Sequence, residues 1–183
     1  MQDLVTIVTP SWNSAKYIEE TIKSVQSQTY KNWEMIIVDD CSTDNTVEIV
    51  MRIAAEDPRV KILVQDVNGG AAKARTRSMQ TGTGRFVAYL DADDIWKTTK
   101  LERQVDFMKK KKCGFSCTSY EVIDDDGRPK NKYIHMLPKV NYIGFLTNNL
   151  LQTVGIMVDT SVVDKKYLIM PDLRRRQDAA TWL

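Results

Sequence analysis

Asp91-Ala92-Asp93-Asp94 is the segment of this chain most suited to chemistry. It follows Phe86-Val87-Ala88-Tyr89-Leu90, an apolar run that reads as a buried strand. Carboxylates crowded at the mouth of a buried strand repel one another, and desolvation adds to the cost. A hard divalent cation removes that cost, because Mg²⁺ and Mn²⁺ take oxygen ligands from carboxylates, waters and phosphates. On an extended chain the D-x-D spacing sends both acidic side chains to one side. The segment is therefore expected to hold a metal and, through it, a phosphorylated ligand. A helix cap is the simpler alternative, but three acids exceed what one cap needs.

The elements that position this segment follow from the hydrophobic pattern. Residues 4–9 are β-rich and end at Pro10, so they predict the first strand. Ser14 is expected to cap a helix running to about Gln28, with Ile18, Ile22 and Val25 on its buried face. Residues 33–38 predict a strand buried on both faces, closed by Asp39-Asp40. A helix over 43–57 should turn Val47, Val50, Met51 and Ala54 inward and stop at Pro58. Residues 60–64 predict a third strand, and Gly69-Gly70 opens a third helix that Gly82 and Gly84 end. Such βα alternation implies a parallel sheet with right-handed crossovers. Ligands in such sheets sit beyond the carboxyl ends of the strands, where Ser11, Asn13, Asp39, Asp40, Asn68 and the Asp91 cluster fall.

After Asp94 the pattern changes. A helix is predicted over 99–111, then a strand over 114–123, a turn at Asp124-Asp125-Asp126-Gly127 and a return strand over 130–136. A short helix near 140–147 and a strand over 154–158 complete the chain. The fold class is thus α/β, with a smaller antiparallel appendage.

Composition bounds the function. The 183 residues suit one domain, 43% are hydrophobic and 27% charged, and the net charge of +2 gives no footprint for nucleic acid. Cys41, Cys113 and Cys117 are too few and too uneven for a disulfide framework, which fits a reducing compartment. Cys113 and Cys117 would stand roughly 13 Å apart on an extended strand, beyond disulfide reach. Met1 leads into the first strand without a signal peptide, and no apolar run reaches the ~18 residues of a membrane span. The last residues read as an unfinished helix, so the chain is expected to be a piece of a longer protein.

A nucleoside diphosphate fits the crevice these elements make. Its pyrophosphate needs a metal on Asp93 and, as a second candidate, Asp91. Asp39 or Asp40 can accept from a base N–H or ribose hydroxyl, Gly69-Gly70 allows close backbone approach, and Arg75 can pair with Asp39 or a phosphate oxygen. The competing reading makes Asp39 and Asp40 a cap on the helix after Ser42 and Arg75 a surface residue.

Four stretches carry a resemblance: Val8-Thr9-Pro10-Ser11-Trp12-Asn13, Ile37-Val38-Asp39-Asp40-Cys41-Ser42-Thr43-Asp44, Asn68-Gly69-Gly70-Ala71-Ala72-Lys73-Ala74-Arg75, and Tyr89-Leu90-Asp91-Ala92-Asp93-Asp94. In this order and at these separations the chain resembles the family-2 inverting glycosyltransferases of GT-A fold, strongly over 3–105 and loosely beyond. The resemblance implies a donor half over 1–98 and an acceptor-side half over 99–183. It implies a nucleotide-sugar donor, with UDP the usual nucleotide, and a Mn²⁺ or Mg²⁺ cofactor. Pro10, Ser11 and Asn13 would line the nucleoside pocket, and Asp40 with Asp39 beside it would read the base or ribose. Asn68, Arg75, Asp91 and Ala92 would complete the donor site, and Asp93 would ligate the metal. The general base would be Asp178, although Gln177 stands where the family's Glu-Asp pair has Glu. The family's Gln-x-x-Arg-Trp pattern is missing.

The implied activity is transfer of a sugar, of the hexosyltransferase kind, to a glycan or lipid-linked glycan hydroxyl with inversion. Its setting would be cell-surface or capsular polysaccharide synthesis. The expected location is cytoplasmic, or peripheral at the inner membrane face through a further C-terminal region. The alternative is a nucleotide-sugar-binding module without transfer. A nucleotidyltransferase would want a Gly-rich basic loop where Pro10-Ser11-Trp12-Asn13 stands, and a dehydrogenase would want G-x-G-x-x-G there. Lys109 to Lys112 reads as a solvated helix end, and Arg174-Arg175-Arg176 as a solvated face or an anion contact. His135 lacks zinc-spaced partners. The four tryptophans read mainly as core, with Trp12 and Trp96 in or beside the motifs at the border of a sugar site.

Overall fold

The computed structural model describes residues 3–139, 143–144, 151–173 and 176–182. Four strands alternate with helices in its first half: β1 (Val5–Ser11), α1 (Ile18–Gln26), β2 (Trp33–Asp39), α2 (Thr46–Glu56), β3 (Val60–Val64), α3 (Gly70–Thr81) and β4 (Phe86–Tyr89). Then come α4 (Lys100–Lys111), β5 (Phe115–Cys117), β6 (Tyr120–Ile123), β7 (Pro129–Ile134), β8 (Ile156–Asp159) and α5 (Gln177–Thr181). The main sheet has the order β3-β2-β1-β4-β8-β5. The first four strands are parallel, and β8 runs antiparallel to both β4 and β5. The register sets Ser11 beside Asp39 and Asp39 beside Val64, so the strands of the first half end together.

Period-two alternation divides the strand residues between two cores. Val5, Ile7, Met35, Ile37, Phe86 and Ala88 pack on one face with Ile18, Ile22 and Val25 of α1, Val50 and Ile53 of α2, and Leu101, Val105 and Met108 of α4. Val8, Val87 and Tyr89 face the other way, against Ala72 and Met79 of α3 and Leu168 and Met170. Gly84 allows the chain to close on β1, since a Cβ there would lie 2.6 Å from the Thr6 backbone nitrogen.

Several expectations need correction. Ser14 does not cap α1 through its side chain; its Oγ donates to the Trp12 carbonyl, while its own carbonyl receives the Tyr17 and Ile18 N–H groups. Met51 is exposed, and α2 buries Thr46, Val50 and Ile53 instead. The strand expected over 114–123 breaks after Cys117, and Tyr120 begins a separate ladder with β7. Thr118 marks the break: its N–H donates to the Gly155 carbonyl, and a Cβ on Gly155 would stand 2.8 Å from the Thr118 oxygen. The Asp124 turn forms as expected, with Gly127 at φ 75°. The helix expected near 140–147 lies largely outside the described residues, as do Arg174 and Arg175. All three cysteines are free, and no helix of the described residues is long and apolar enough to cross a membrane.

Candidate active site

Two loops at the carboxyl ends of β1 and β2 are fastened to each other. Asn13, at φ 48°, accepts on its Oδ1 from the Thr43 N–H at 2.8 Å, while its own N–H donates to Ser42 Oγ. Asp44 accepts from the N–H groups of Ala15 and Thr46. Ser42 donates through both N–H and Oγ to the buried Asp39 carboxylate, at 2.8 and 2.5 Å. Asp39 is thus the anchor of the turn that follows β2; it does not cap the next helix, since α2 begins at Thr46 after Asn45 with no side-chain cap.

Asp40 is held differently. Its Oδ1 accepts from Gln65 Nε2 at 2.5 Å and from the Gly69 N–H at 2.7 Å, and its Oδ2 accepts from the Gly70 N–H at 2.7 Å. The carboxylate therefore ties the loop before α3 to the end of β2, with a lone pair on Oδ2 to spare. Gly70 has φ 81°, a conformation that favours glycine. Asn68 donates to the Asp40 carbonyl at 2.9 Å. Gln65 is a participant the sequence reading missed; its position one residue past β3, at the same sheet end, was the available signal.

Arg75, on the second turn of α3, donates Nη2 and Nε to Asp91 Oδ1 at 2.6 and 3.2 Å. Its expected partner was Asp39 or a phosphate. Asp39 is already occupied by Ser42, and α3 carries the Arg75 guanidinium over the end of β4 instead. Asp91 to Asp94 form a turn, with the Asp94 N–H donating to the Asp91 carbonyl at 3.2 Å, rather than the extended D-x-D expected. Burial, reinforced by the Asp91 and Asp93 charges, pushes Asp94 up to about 7. Asp93 is exposed and takes no hydrogen bond or ion pair from the described residues.

These groups line one cleft of about 440 Å³. Pro10, Ser11, Asn13, Asp40, Asn68, Arg75, Asp91, Ala92 and Asp93 all belong to its wall, and Asp39 and Asp178 do not. Trp12, 60% exposed, and Tyr17 belong to it as well. Trp33 and Trp96 are core residues, and Trp182 packs edge-on against Tyr89 with ring centroids 5.0 Å apart. Ser11 Oγ is buried in the wall and has no hydrogen-bond partner among the described residues, which leaves a polar atom for a ligand to satisfy.

Asp178 stands in the first turn of α5, where Thr153 Oγ1 donates to its Oδ2 at 3.2 Å. Thr153 is buried and follows Gln152, so the acid is tied to the segment that leads into β8. Among the described residues no three acids, histidines or cysteines converge as a complete metal cage. The arrangement instead fits an ion on one protein carboxylate, the unpartnered Asp93, with ligand phosphates and waters supplying the rest, as Mg²⁺ sites commonly do.

The model of glycosyl transferase family 2 matches residues 6–164. The chain belongs to this family. The family-2 chain is 43% identical over 180 residues to the putative teichuronic acid biosynthesis glycosyltransferase TuaG of Bacillus subtilis (strain 168), a match covering 98% of this chain and 71% of that protein. It is 39% identical over 165 residues to the UDP-Glc:alpha-D-GlcNAc-diphosphoundecaprenol beta-1,3-glucosyltransferase WfgD of Escherichia coli, over 90% of this chain and 62% of that protein. Its fold matches S. aureus TarS 1-349 in complex with UDP at a TM-score of 0.80 and 23% identity, covering 97% of this chain and 53% of that one. It also matches the mannosyltransferase PcManGT from Pyrobaculum calidifontis in complex with GDP-Man and Mn²⁺, at a TM-score of 0.73 and 20% identity over 99% of this chain and 51% of that one. The family-2 chain thus has the GT-A α/β fold and spans between about half and seven-tenths of these relatives' lengths.

Proposed function

We propose that the family-2 chain transfers a sugar from a UDP-sugar to a hydroxyl of a lipid-linked glycan acceptor, with inversion, in cell-surface polysaccharide synthesis at the cytoplasmic face of the membrane. The observation that carries this reading is the cleft itself: residues from the four motif stretches converge on one wall at the carboxyl ends of β1, β2 and β4. Residues 1–98 are the donor half and 99–183 the acceptor-side half. The names of TuaG and WfgD support the setting and the lipid diphosphate acceptor, and the TarS complex supports UDP.

The nucleoside lies against Pro10, Ser11 and Asn13, where Ser11 Oγ gains a partner. The spare lone pair of Asp40 accepts from the base or ribose. Arg75 is oriented by Asp91 and faces the diphosphate end of the cleft, with Asn68 and Ala92 completing the wall. Asp93 would hold Mn²⁺ or Mg²⁺, and such an ion, when bound, neutralises charge that develops on the leaving diphosphate. Asp178 removes the proton from the acceptor hydroxyl as that oxygen attacks the anomeric carbon from the side opposite the leaving nucleotide. General-base assistance of this kind is worth ~10²–10⁴-fold.

The test is transfer from radiolabelled UDP-sugars to an alkyl-diphosphate-linked N-acetylglucosamine, with the product's anomeric configuration read by NMR. The reading expects an inverted glycoside, and loss of transfer in Asp178→Ala with UDP affinity kept. Full transfer by Asp178→Ala would remove the base assignment. UDP binding without transfer to any acceptor would leave a nucleotide-sugar-binding module.

A further inference from the structure

Asp178 sits on a helix too short to hold itself. α5 is five residues long, and helices of that length are marginal in water without tertiary contacts. Contacts at both of its ends fix it. At the start, Thr153 Oγ1 donates to Asp178 Oδ2 at 3.2 Å. At the end, the Trp182 ring packs edge-on against Tyr89, with centroids 5.0 Å apart, and tilted against Phe115 at 5.9 Å. The Trp182 N–H donates to the Asp178 carbonyl at 3.1 Å, which closes the turn between these two residues.

The seat of Trp182 belongs to the sheet that carries the donor cleft. Tyr89 is buried, ends β4 two residues before Asp91, and packs in the core with Ala72 and Met79 of α3. Phe115 opens β5, and the sheet order places β8 between β4 and β5. The indole therefore lies across β8, against the cluster that holds Ile156 and Val158. Its Nε1 is buried with no hydrogen-bond partner among the described residues, so the ring contributes shape and contact rather than a polar bond. Thr153 lies in the turn that leads into the same β8. That turn is clamped by Trp96 Nε1, which donates to the Val154 carbonyl at 3.0 Å, and by Gln104 Nε2, which donates to the Gly155 carbonyl at 2.9 Å. Both ends of α5 are thus held against one fixed strand.

Residues four apart on a helix stand on one face. Asp178 and Trp182 have this spacing, so the face that the indole presses onto the sheet is the face that carries the carboxylate. We propose that Trp182 is a positioning residue for Asp178: seated on Tyr89 and Phe115, it sets the rotation of α5 and so aims the carboxylate at the acceptor hydroxyl. The inference rests on the reading of Asp178 as the base. Thr153 by itself would leave the helix free to pivot about one hydrogen bond, and displacing a reacting group by about 1 Å can cost ~10²-fold in rate.

The test compares Trp182→Phe with Trp182→Ala in the full chain. Phenylalanine keeps a ring on Tyr89 and deletes the unpaired N–H, so its kcat for sugar transfer should stay close to the parent's. Alanine should lower kcat by ~10–100-fold while the KM for the UDP-sugar and the UDP affinity hold. In an Asp178→Asn background, Trp182→Ala should change the residual rate by less than about twofold, because residues that act as a unit are not additive. Hydrogen exchange reads the helix without activity. The Ala180 amide, which donates to the Arg176 carbonyl at 3.0 Å, should exchange faster in Trp182→Ala and near the parent rate in Trp182→Phe, with the β1 amides unchanged. Unchanged kcat or unchanged Ala180 exchange in Trp182→Ala overturns this inference. So does equal damage from phenylalanine and alanine, a full loss in the Asp178→Asn background, or loss of UDP affinity along with kcat. Full transfer by Asp178→Asn overturns the base reading beneath it and leaves the exchange result standing.

Discussion

Asp40→Asn separates the two duties assigned to Asp40, because it preserves shape and removes charge. The carboxylate accepts from Gln65, Gly69 and Gly70. An amide can keep its oxygen toward Gln65 and Gly69, but its NH₂ then faces the Gly70 N–H. The two retained bonds fall from charged to neutral strength, roughly 1 kcal/mol each, and the orphaned Gly70 donor costs about 1–3 kcal/mol more. The sum is about 3–5 kcal/mol, a large share of the ~5–15 kcal/mol of a typical domain. At about 2–4 °C per kcal/mol for a chain of this size, Tm should fall by about 6–20 °C. Thermal unfolding by circular dichroism measures this, and calorimetry with UDP at a temperature where the variant is folded measures the second duty. UDP affinity should fall at least ~10-fold, since the loop that presents Asn68 and Gly70 to the cleft loses its tether. A Tm drop under about 3 °C with unchanged UDP affinity would refute both the tether and the cleft assignment.

Other perturbations probe the remaining parts. Asp91→Ala leaves the nearly buried Arg75 guanidinium unpaired, which should cost about 3 kcal/mol and weaken UDP binding; unchanged melting would show that the ion pair is not formed. Thr153→Val removes the hydrogen bond that orients Asp178, so kcat should fall about tenfold while UDP affinity holds, and Thr153→Ser should restore it; equal loss in both variants would point to a packing role. Lys100 extends its ammonium over the Trp96 ring at 3.6 Å, with Nζ buried and without a hydrogen bond among the described residues. Burial pulls it down to about 7 from 10.5. The unfolded chain then binds more protons between about pH 7 and 10.5, so this group makes stability rise with pH across that window, and its penalty is full below it. Lys100→Met should therefore melt higher than the parent at pH 6, with the gap closing by pH 10; parallel melting curves would contradict the burial.

Much of the first half was legible because it is built from local signals. The β1, β2, β3 and β4 runs are apolar, strand-length and punctuated by Pro10, Pro58 and glycines, and βα alternation leaves few ways to connect them. That order alone carries Ser11, Asp40 and Asp91 to one sheet end. Side-chain partners were less legible, since they depend on loop conformation. Arg75 pairs with Asp91 rather than Asp39 because Ser42, three residues beyond Asp39, reaches back to take that carboxylate. The break between β5 and β6 was invisible because Phe115 to Ile123 is continuously β-prone; it arises from the close approach of Gly155 to Thr118, a contact between segments far apart in sequence. Asp178 was singled out as a candidate by resemblance alone. Nothing in its local sequence announces Thr153 as its partner.

Calorimetric titration of the full chain with UDP, in Mn²⁺ and again in chelator, with GDP and CDP alongside, tests the donor-site claim most directly. The account predicts one site per chain, tighter for UDP than for GDP or CDP, weakened by chelator and by Asp93→Asn. Failure to bind any of the three nucleotides, or equal binding with Asp93→Asn and in chelator, would contradict it.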